Sequence, residues 1–272
     1  MSLYKTEAIV LRTRPIGEAD VIVTFYTRAE GKVEASARGA RRPRSRLMGC
    51  IQPFTHEQAM FFRGRGMDSL SQGEILDSFR GLREDLFRMA YGSYILELAD
   101  LSAPERQAHE ELFELLLGAL RLMAALPVER NEQGVVRDEQ SVAPKLAELE
   151  RITRVFELRL MRILGYEPQL QGCVACGGEV PSNLRFSATL GGVLCPNCFS
   201  RDPQALAVGR GTVETMRALL NWPWPRLAQV QYHGEIGNQL KRLLRAYIDF
   251  RLDRRLKSLD FLETLMKVNE TH

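Results

Sequence analysis

The first third of the chain alternates apolar and polar positions in short runs that predict a small β-barrel. Residues 31–39 (GKVEASARG) place small apolar side chains at every second position, which is the period of a half-buried strand. Runs rich in β-branched and aromatic residues occupy 4–12, 19–27, 50–62 and 67–76. Five such strands favour a five-stranded OB-fold barrel, although an SH3-like barrel would give much the same pattern.

From residue 84 to residue 165 the apolar residues recur at helical spacing instead. Pro104 and Pro127 mark the ends of the first two predicted helices, and Gly165 stands where a helix C-cap is expected. The polar stretch 127–141 is interpreted as an exposed loop or a frayed helix start. Further helices are predicted over 212–220 and 236–267, the last with one apolar and one basic face.

These patterns predict an α+β multidomain protein. A barrel domain is expected over 1–80, a helical domain over 81–165 and 204–272, and a module that contains four cysteines over 166–203. Hydrophobic residues make up 45% and charged residues 26%, which is ordinary for a soluble protein. No apolar run is long enough for a membrane span, and the start of the chain lacks a secretory signal pattern. We therefore expect a cytoplasmic protein.

Four of the five cysteines form two C-x-x-C pairs. Two such turns can place four thiolates around one Zn²⁺, and a four-thiolate site is closed and therefore structural. Two disulfides, an iron–sulfur cluster and turns without metal remain the alternatives. Cys50 is expected to be a buried apolar residue rather than a nucleophile. The predicted metal ligands are Cys173, Cys176, Cys195 and Cys198.

Arginine is concentrated in the N-terminal third. Residues 1–80 carry 13 basic and 9 acidic side chains, and 11 of the 13 are arginine. Residues 38–46 (RGARRPRSR) hold five arginines in nine positions, a pattern typical of contact with a phosphate backbone. A solvated charge cluster or an acidic protein partner is the alternative. Because Phe25 and Tyr26 are neighbours on a strand, we expect one in the core and the other free to stack on a base.

The chain contains no recognisable catalytic set. There is no phosphate-binding G-x-x-x-x-G-K-[ST] loop, no G-x-S-x-G and no H-E-x-x-H. Glu110, Glu111 and Glu114 are interpreted as a solvated helix face, and the pair Glu18 and Asp20 is weak evidence for a nuclease. We therefore predict a protein that is not an enzyme and has no catalytic residue.

Several segments resemble the bacterial RecO recombination mediators. They are the run 4–46, IQPF at 51–54, LRLMRILGYEPQLQGCVACGG at 158–178, GGVLCPNC at 191–198 and YIDFRLDRRLKSLDFL at 247–262. The resemblance implies an N-terminal OB-fold DNA-binding domain (1–80), a helical body and an inserted four-cysteine zinc module (166–203). It also implies binding of single- and double-stranded DNA and annealing of complementary strands. It also implies work with RecR, and in some species RecF, to load RecA onto DNA coated by single-stranded-DNA-binding protein (SSB). The DNA contacts that the resemblance implies are Arg12, Arg14, Arg38, Arg41, Arg42, Arg44 and Arg46. Arg63 and Arg65, which lie at ends of predicted strands, are also predicted to contact DNA.

Three functions remain open at this point. The leading hypothesis is a nucleoid-associated DNA repair mediator that binds DNA without sequence specificity and needs no membrane. The second is a protein-binding adaptor whose helical domain recruits the SSB C-terminal tail, with DNA binding secondary. The third is a zinc-ribbon transcription or RNA-processing factor.

Overall fold

The computed structural model of the chain describes residues 2–127, 139–180, 183–254 and 256–270. Most of the polar stretch 127–141 lies outside this part of the chain. The chain divides into two compact units, one formed by Met1–Ile152 with Leu256–His272 and the other by Thr153–Arg255. The three-part division predicted from the sequence stays a prediction.

Five strands form the N-terminal barrel: β1 (Leu3–Ile16), β2 (Asp20–Thr27), β3 (Gly31–Ala37), β4 (His56–Phe62) and β5 (Asp68–Asp77). The barrel closes in the order β1-β2-β3-β5-β4. All neighbouring strands are antiparallel except β3 and β5, which are parallel. The predicted five-stranded barrel is therefore confirmed, with an OB-like arrangement.

The alternation in the sequence accounts for the barrel core. Val33, Ala35 and Ala37 of β3 are buried and the residues between them are half-buried, as the two-residue period requires. The prediction of a strand starting at residue 50 was wrong, because strand structure begins only at His56. Residues 50–55 form turns in which Phe54 adopts a φ of +77°, a left-handed conformation that a strand cannot contain.

The helices are α1 (Arg80–Arg83), α2 (Leu86–Ser102), α3 (Glu110–Ala125), α4 (Glu139–Ile163), α5 (Arg210–Asn221), α6 (Trp224–Leu227), α7 (Glu235–Leu252) and α8 (Lys257–Glu270). Pro104 and Pro127 follow the ends of α2 and α3, as predicted. No helix in the described ranges is both long enough and apolar enough to cross a membrane.

Helix α8 belongs to the first unit and is held there by α2. The Glu97 carboxylate accepts hydrogen bonds from the backbone N–H groups of Lys257 (3.0 Å) and Ser258 (2.8 Å). These N–H groups lie at the start of α8, where a negative charge is favourable.

The second unit combines helices with a small sheet. Gly165 ends α4 with a φ of +79°, which confirms the predicted C-cap. The sheet contains β6 (Leu184–Ser187), β7 (Gly192–Leu194) and β8 (Leu206–Val208) in the order β7-β6-β8. The prediction of one helix over 236–267 was wrong: Asp253 has a φ of +46°, so the helical hydrogen bonds stop there.

Candidate nucleic-acid interface and four-cysteine cluster

The arginine loop, defined here as residues 38–46, is the first part of the connection from β3 to β4. Its start is fixed to the turn between β1 and β2. The Gly39 N–H donates to the Asp20 carboxylate at 2.7 Å, and the Arg41 N–H donates to the Ala19 carbonyl oxygen at 2.9 Å. Gly39 has a φ of +65°, which glycine adopts without strain. The loop is therefore a series of anchored turns rather than a free segment.

The arginines of this loop are exposed, while its Ala40 is fully buried in the barrel core. Within the described residues, none of the five is part of an ion pair. A guanidinium group that has no carboxylate partner is available to a phosphate. The five residues are Arg38, Arg41, Arg42, Arg44 and Arg46.

The connection from β3 to β4 is anchored again at Cys50. This residue is 2% exposed, as predicted, and its thiol donates to the Gly73 carbonyl oxygen at 3.4 Å. Glu57 lies beside it with its side chain fully buried. Burial raises the pKa of Cys50 to about 12 and the pKa of Glu57 to about 7. A Cβ on Gly73 would approach the Glu57 carboxyl to 2.4 Å, so this packing requires glycine.

Arg14 lies in a row of paired residues that reaches the arginine loop. It pairs with Ile22 across β1 and β2, and Ile22 pairs with Ser36 across β2 and β3. Two strand spacings place its backbone roughly 10 Å from that of Ser36, two residues before the loop. Arg14 is also exposed, so it extends the surface of the loop along the barrel.

Arg12 is engaged in ion pairs. Its guanidinium donates to Asp100 at 2.6 Å and to Glu34 at 3.1 Å. About half of the side chain remains exposed, but a phosphate would have to compete with these carboxylates. Sequence reasoning had no means of finding this pairing, since Asp100 is 88 residues away.

Arg63 and the arginine loop lie at opposite ends of β3. Arg63 pairs with Glu30 at 2.8 Å, and Glu30 is in the turn that precedes β3. The loop begins after Ala37, at the other end of this strand of 7 residues, which spans roughly 20 Å. The structure therefore does not bring Arg63 together with the loop. Arg65 is exposed in the same connection from β4 to β5.

Neither aromatic residue of the pair on β2 is free to stack on a base. Phe25 is in the barrel core, edge-on to Phe61 with 5.2 Å between ring centres. Tyr26 points to the outer face, but α3 covers it: its ring packs on Phe113 at 6.4 Å and only 1% of it is exposed. The expectation of one stacking aromatic residue here was wrong, because α3 packs on the outer face of β2 and buries it.

The carboxylates at the start of α3 have a structural partner. The Arg28 guanidinium donates to both Glu110 and Glu114 and lies over the Phe113 ring at 4.3 Å. Both carboxylates are more than half exposed, in agreement with a solvated face. Their ion pairs attach α3 to the barrel.

The four cysteines of the two C-x-x-C pairs form one cluster. Their Sγ atoms all lie within 4.8 Å of one another. Sulfurs at the corners of a tetrahedron with metal–sulfur bonds of about 2.3 Å are roughly 3.8 Å apart, and the Cys176 and Cys195 Sγ atoms are 3.8 Å apart. The arrangement therefore fits a tetrahedral divalent cation, with every ligand position filled by sulfur.

Backbone hydrogen bonds build the two turns and join them. In the first turn, the Gly177 N–H donates to the Cys173 carbonyl oxygen at 2.8 Å, and the φ of Gly177 is +73°. In the second, the Cys198 N–H donates to the Cys195 carbonyl oxygen at 2.9 Å. The Cys195 N–H also points at the Cys173 Sγ at 3.4 Å. The second turn thus stabilises a thiolate of the first.

Without a cation the four thiols cannot all ionise. Burial opposes ionisation of Cys173, but N–H groups of Cys195, Ala175 and Cys176 lower its pKa to about 6. Burial and the neighbouring sulfurs raise the pKa of Cys198 to about 12 and also raise the pKa of Cys195. A bound divalent cation offsets this repulsion and deprotonates its ligands.

The chain matches two family descriptions that together span most of its length. The N-terminal one, "Recombination protein O N terminal", matches residues 1–79, and "Recombination protein O C terminal" matches 83–136 and 143–260. A relative named DNA repair protein RecO from Symbiobacterium thermophilum is 46% identical over 268 residues, covering 97% of this chain and 98% of the relative. Relatives with the same name from Pelotomaculum thermopropionicum and Desulforamulus reducens are 39% and 35% identical over 263 and 270 residues. They cover 97% and 99% of this chain, and 94% and 97% of the relatives.

Proposed function

The chain belongs to the RecO family of DNA repair proteins, and from this premise we propose that it binds single- and double-stranded DNA and anneals complementary strands. The family consists of recombination mediators rather than enzymes. We further propose that the chain works with RecR to load RecA onto SSB-coated single-stranded DNA.

One observation carries the DNA-binding proposal: five exposed arginines without ion-pair partners in the described structure lie on one anchored loop. Each guanidinium can replace a counterion condensed on a phosphate, and the released counterions drive binding. Contacts of this kind read the backbone and not the bases. The binding should therefore be independent of sequence and should weaken as salt rises.

Annealing follows from the same charges. Two complementary strands repel each other through their phosphates. A loop that neutralises phosphates on both strands lowers this repulsion, and base pairing then supplies the free energy. No nucleotide hydrolysis is needed, which agrees with a family of mediators that are not enzymes.

We propose that the cysteine cluster holds one structural Zn²⁺ on Cys173, Cys176, Cys195 and Cys198. The support is the spacing of the four Sγ atoms and the soft thiolate character of the ligands. When bound, the metal supplies stability rather than chemistry, because four protein thiolates leave no position for water or substrate.

The remaining partners and the location follow from family membership. RecR, the C-terminal tail of SSB and, indirectly, RecA and RecF pathway proteins are proposed partners, and the cytoplasm with its nucleoid is the proposed location. We also propose that the barrel domain (1–80) binds DNA, the helical domain (81–165 with 204–272) meets protein partners, and the zinc module (166–203) supports both.

The experiment that tests the proposal is annealing of two complementary oligonucleotides without ATP, across a salt series. We expect faster annealing at low salt and a loss of this acceleration as salt rises. The protein must first be shown to be folded and to contain one equivalent of zinc. No acceleration at any salt would reject annealing and would favour the adaptor that recruits the SSB tail.

A further inference from the structure

A group of exposed apolar side chains lies in the second unit, far along the sequence from the arginine loop. In the described part of this unit, three large apolar side chains are exposed: Tyr166 by 41%, Leu190 by 42% and Phe250 by 50%. They come from three separate segments: the link after α4, the turn between β6 and β7, and α7. Exposed apolar groups that gather in this way mark a binding surface more often than scattered ones do.

These segments meet around one arginine. The Arg251 guanidinium carbon lies 5.2 Å from the centre of the Tyr166 ring and 5.4 Å from that of Phe250. Its Nη2 donates to the Thr189 carbonyl oxygen at 3.3 Å. Gly191, in the same turn, has a φ of +80°, a conformation that glycine adopts without strain. The guanidinium also lies 5.1 Å from the centre of the ring of Tyr247, which is buried. It is therefore held among three aromatic rings, two of which are exposed.

Nearby carboxylates do not neutralise Arg251. Glu167 pairs with Arg162 at 2.7 Å, and Asp249 pairs with Arg245 at 2.5 Å. Among the described residues, no ion pair involves Arg251. The charge of Arg251 is thus in surplus and is surrounded by aromatic surface.

We infer that Tyr166, Phe250 and Arg251 form a base-stacking site for single-stranded nucleic acid, separate from the arginine loop. The inference rests on the proposed function for the class of ligand. Bases stack on aromatic rings whatever their sequence, and an arginine among the rings can pair with the adjoining phosphate. The rings already pack against one planar cation, and a planar base stacks on an aromatic face in a similar way. The unpaired positive charge beside the exposed rings favours a ligand that supplies an anion and a planar group together, and a nucleotide supplies both.

The consequence is that one chain has two different means of holding a strand. The arginine loop in the first unit holds phosphates, and the site around Arg251 in the second unit holds bases. A strand held by its phosphates keeps its bases free to pair, whereas a stacked strand is kept unpaired until it is released.

The test compares two probes of equal charge. One is an oligothymidylate of about twelve nucleotides, within the usual range of such sites, and the other is an abasic oligonucleotide of the same length. We expect the unmodified protein to prefer the oligothymidylate. Phe250→Leu, which keeps apolar bulk but removes the ring, should reduce this preference about fivefold, as expected when one stacked base is lost. Tyr166→Leu is the second variant, and Phe261→Leu, an exposed phenylalanine of α8, is the matched control.

The outcomes separate this inference from the proposed function. Arg41→Ala with Arg42→Ala should weaken the binding of both probes equally and preserve the preference. If the preference is absent from the unmodified protein, or survives in both leucine variants, the stacking site is refuted while the loop can still hold. If Phe250→Leu instead abolishes binding of an acidic peptide with apolar residues and leaves the preference unchanged, the surface is a peptide site and the inference is wrong.

Discussion

Replacing Arg41 and Arg42 with alanine gives the sharpest test of the arginine loop. Both side chains are exposed and neither is part of an ion pair within the described chain. Their loss therefore removes two phosphate contacts without leaving a carboxylate unpaired. The fold should be unchanged, because the loop is anchored through backbone groups and through Ala40.

The magnitude follows from counterion release. Each phosphate contact on a single strand contributes about 0.7 to the slope of log K against log salt. Removing two contacts should flatten this slope by about 1.4. Over a fourfold rise in salt, the unmodified protein should lose about sevenfold more affinity than the double variant.

The assay is the binding of a single-stranded oligonucleotide, measured by fluorescence anisotropy from about 50 to 200 mM salt, where the electrostatic term is large. The matched control is Arg80→Ala on α1. Arg80 is also exposed but already pairs with Glu84 at 2.6 Å, so its removal should change the slope little. Equal slopes for the double variant and the unmodified protein would show that the loop is not the phosphate site.

Two further predictions concern stability. Cys173→Ser should release the metal and lower Tm by roughly 10 °C, equivalent to about 3 kcal/mol. The control Cys50→Ala should keep the metal. Unchanged thermal unfolding in a strong chelator would contradict a structural metal. Burial raises the pKa of Glu57 to about 7. Its contribution to the free energy of unfolding is therefore fully present below pH 4.5, where the carboxyl is protonated in both states. The contribution is lost as pH rises to about 7, because only the unfolded state ionises the group freely. Glu57→Gln mimics the protonated form and should gain on the order of 3 kcal/mol over the unmodified protein between pH 4.5 and 8, and parallel Tm–pH curves would argue against a buried neutral acid.

The elements that the sequence predicted well are those fixed by local pattern. The alternation over 31–39 places a buried residue at every second position of β3, because the pleat of a strand imposes that period. The two C-x-x-C pairs likewise predicted the cluster. The two cysteines of each pair are close because only two residues separate them, so the prediction required only that the two pairs meet in the folded chain.

What the sequence could not supply depends on which surfaces meet. Tyr26 looked available because it alternates with a core residue, yet α3 covers it. Arg12 and Arg63 looked equivalent to the loop arginines until Asp100 and Glu30 were seen beside them. These partners are distant in sequence, so no local pattern reports them.

The break inside the last predicted helix was missed for a different reason. Asp253 is an ordinary residue inside a helical pattern, and its left-handed conformation carries no strong signal in the sequence. The site around Arg251 was missed in the same way. Phe250 and Arg251 are neighbours on a helix with a basic face, whereas Tyr166 follows the end of another helix. Only tertiary structure brings Tyr166 to Arg251.

The position of α8 has a consequence for synthesis on the ribosome. This helix packs in the first unit through Glu97, yet roughly 100 residues of the second unit separate it from Ile152. At about 5–20 residues per second, those residues take roughly 5–20 seconds to translate. Throughout that interval Glu97 lacks these two hydrogen-bond partners. The face of α2 that receives α8 therefore has to wait for the last helix after the barrel has already emerged.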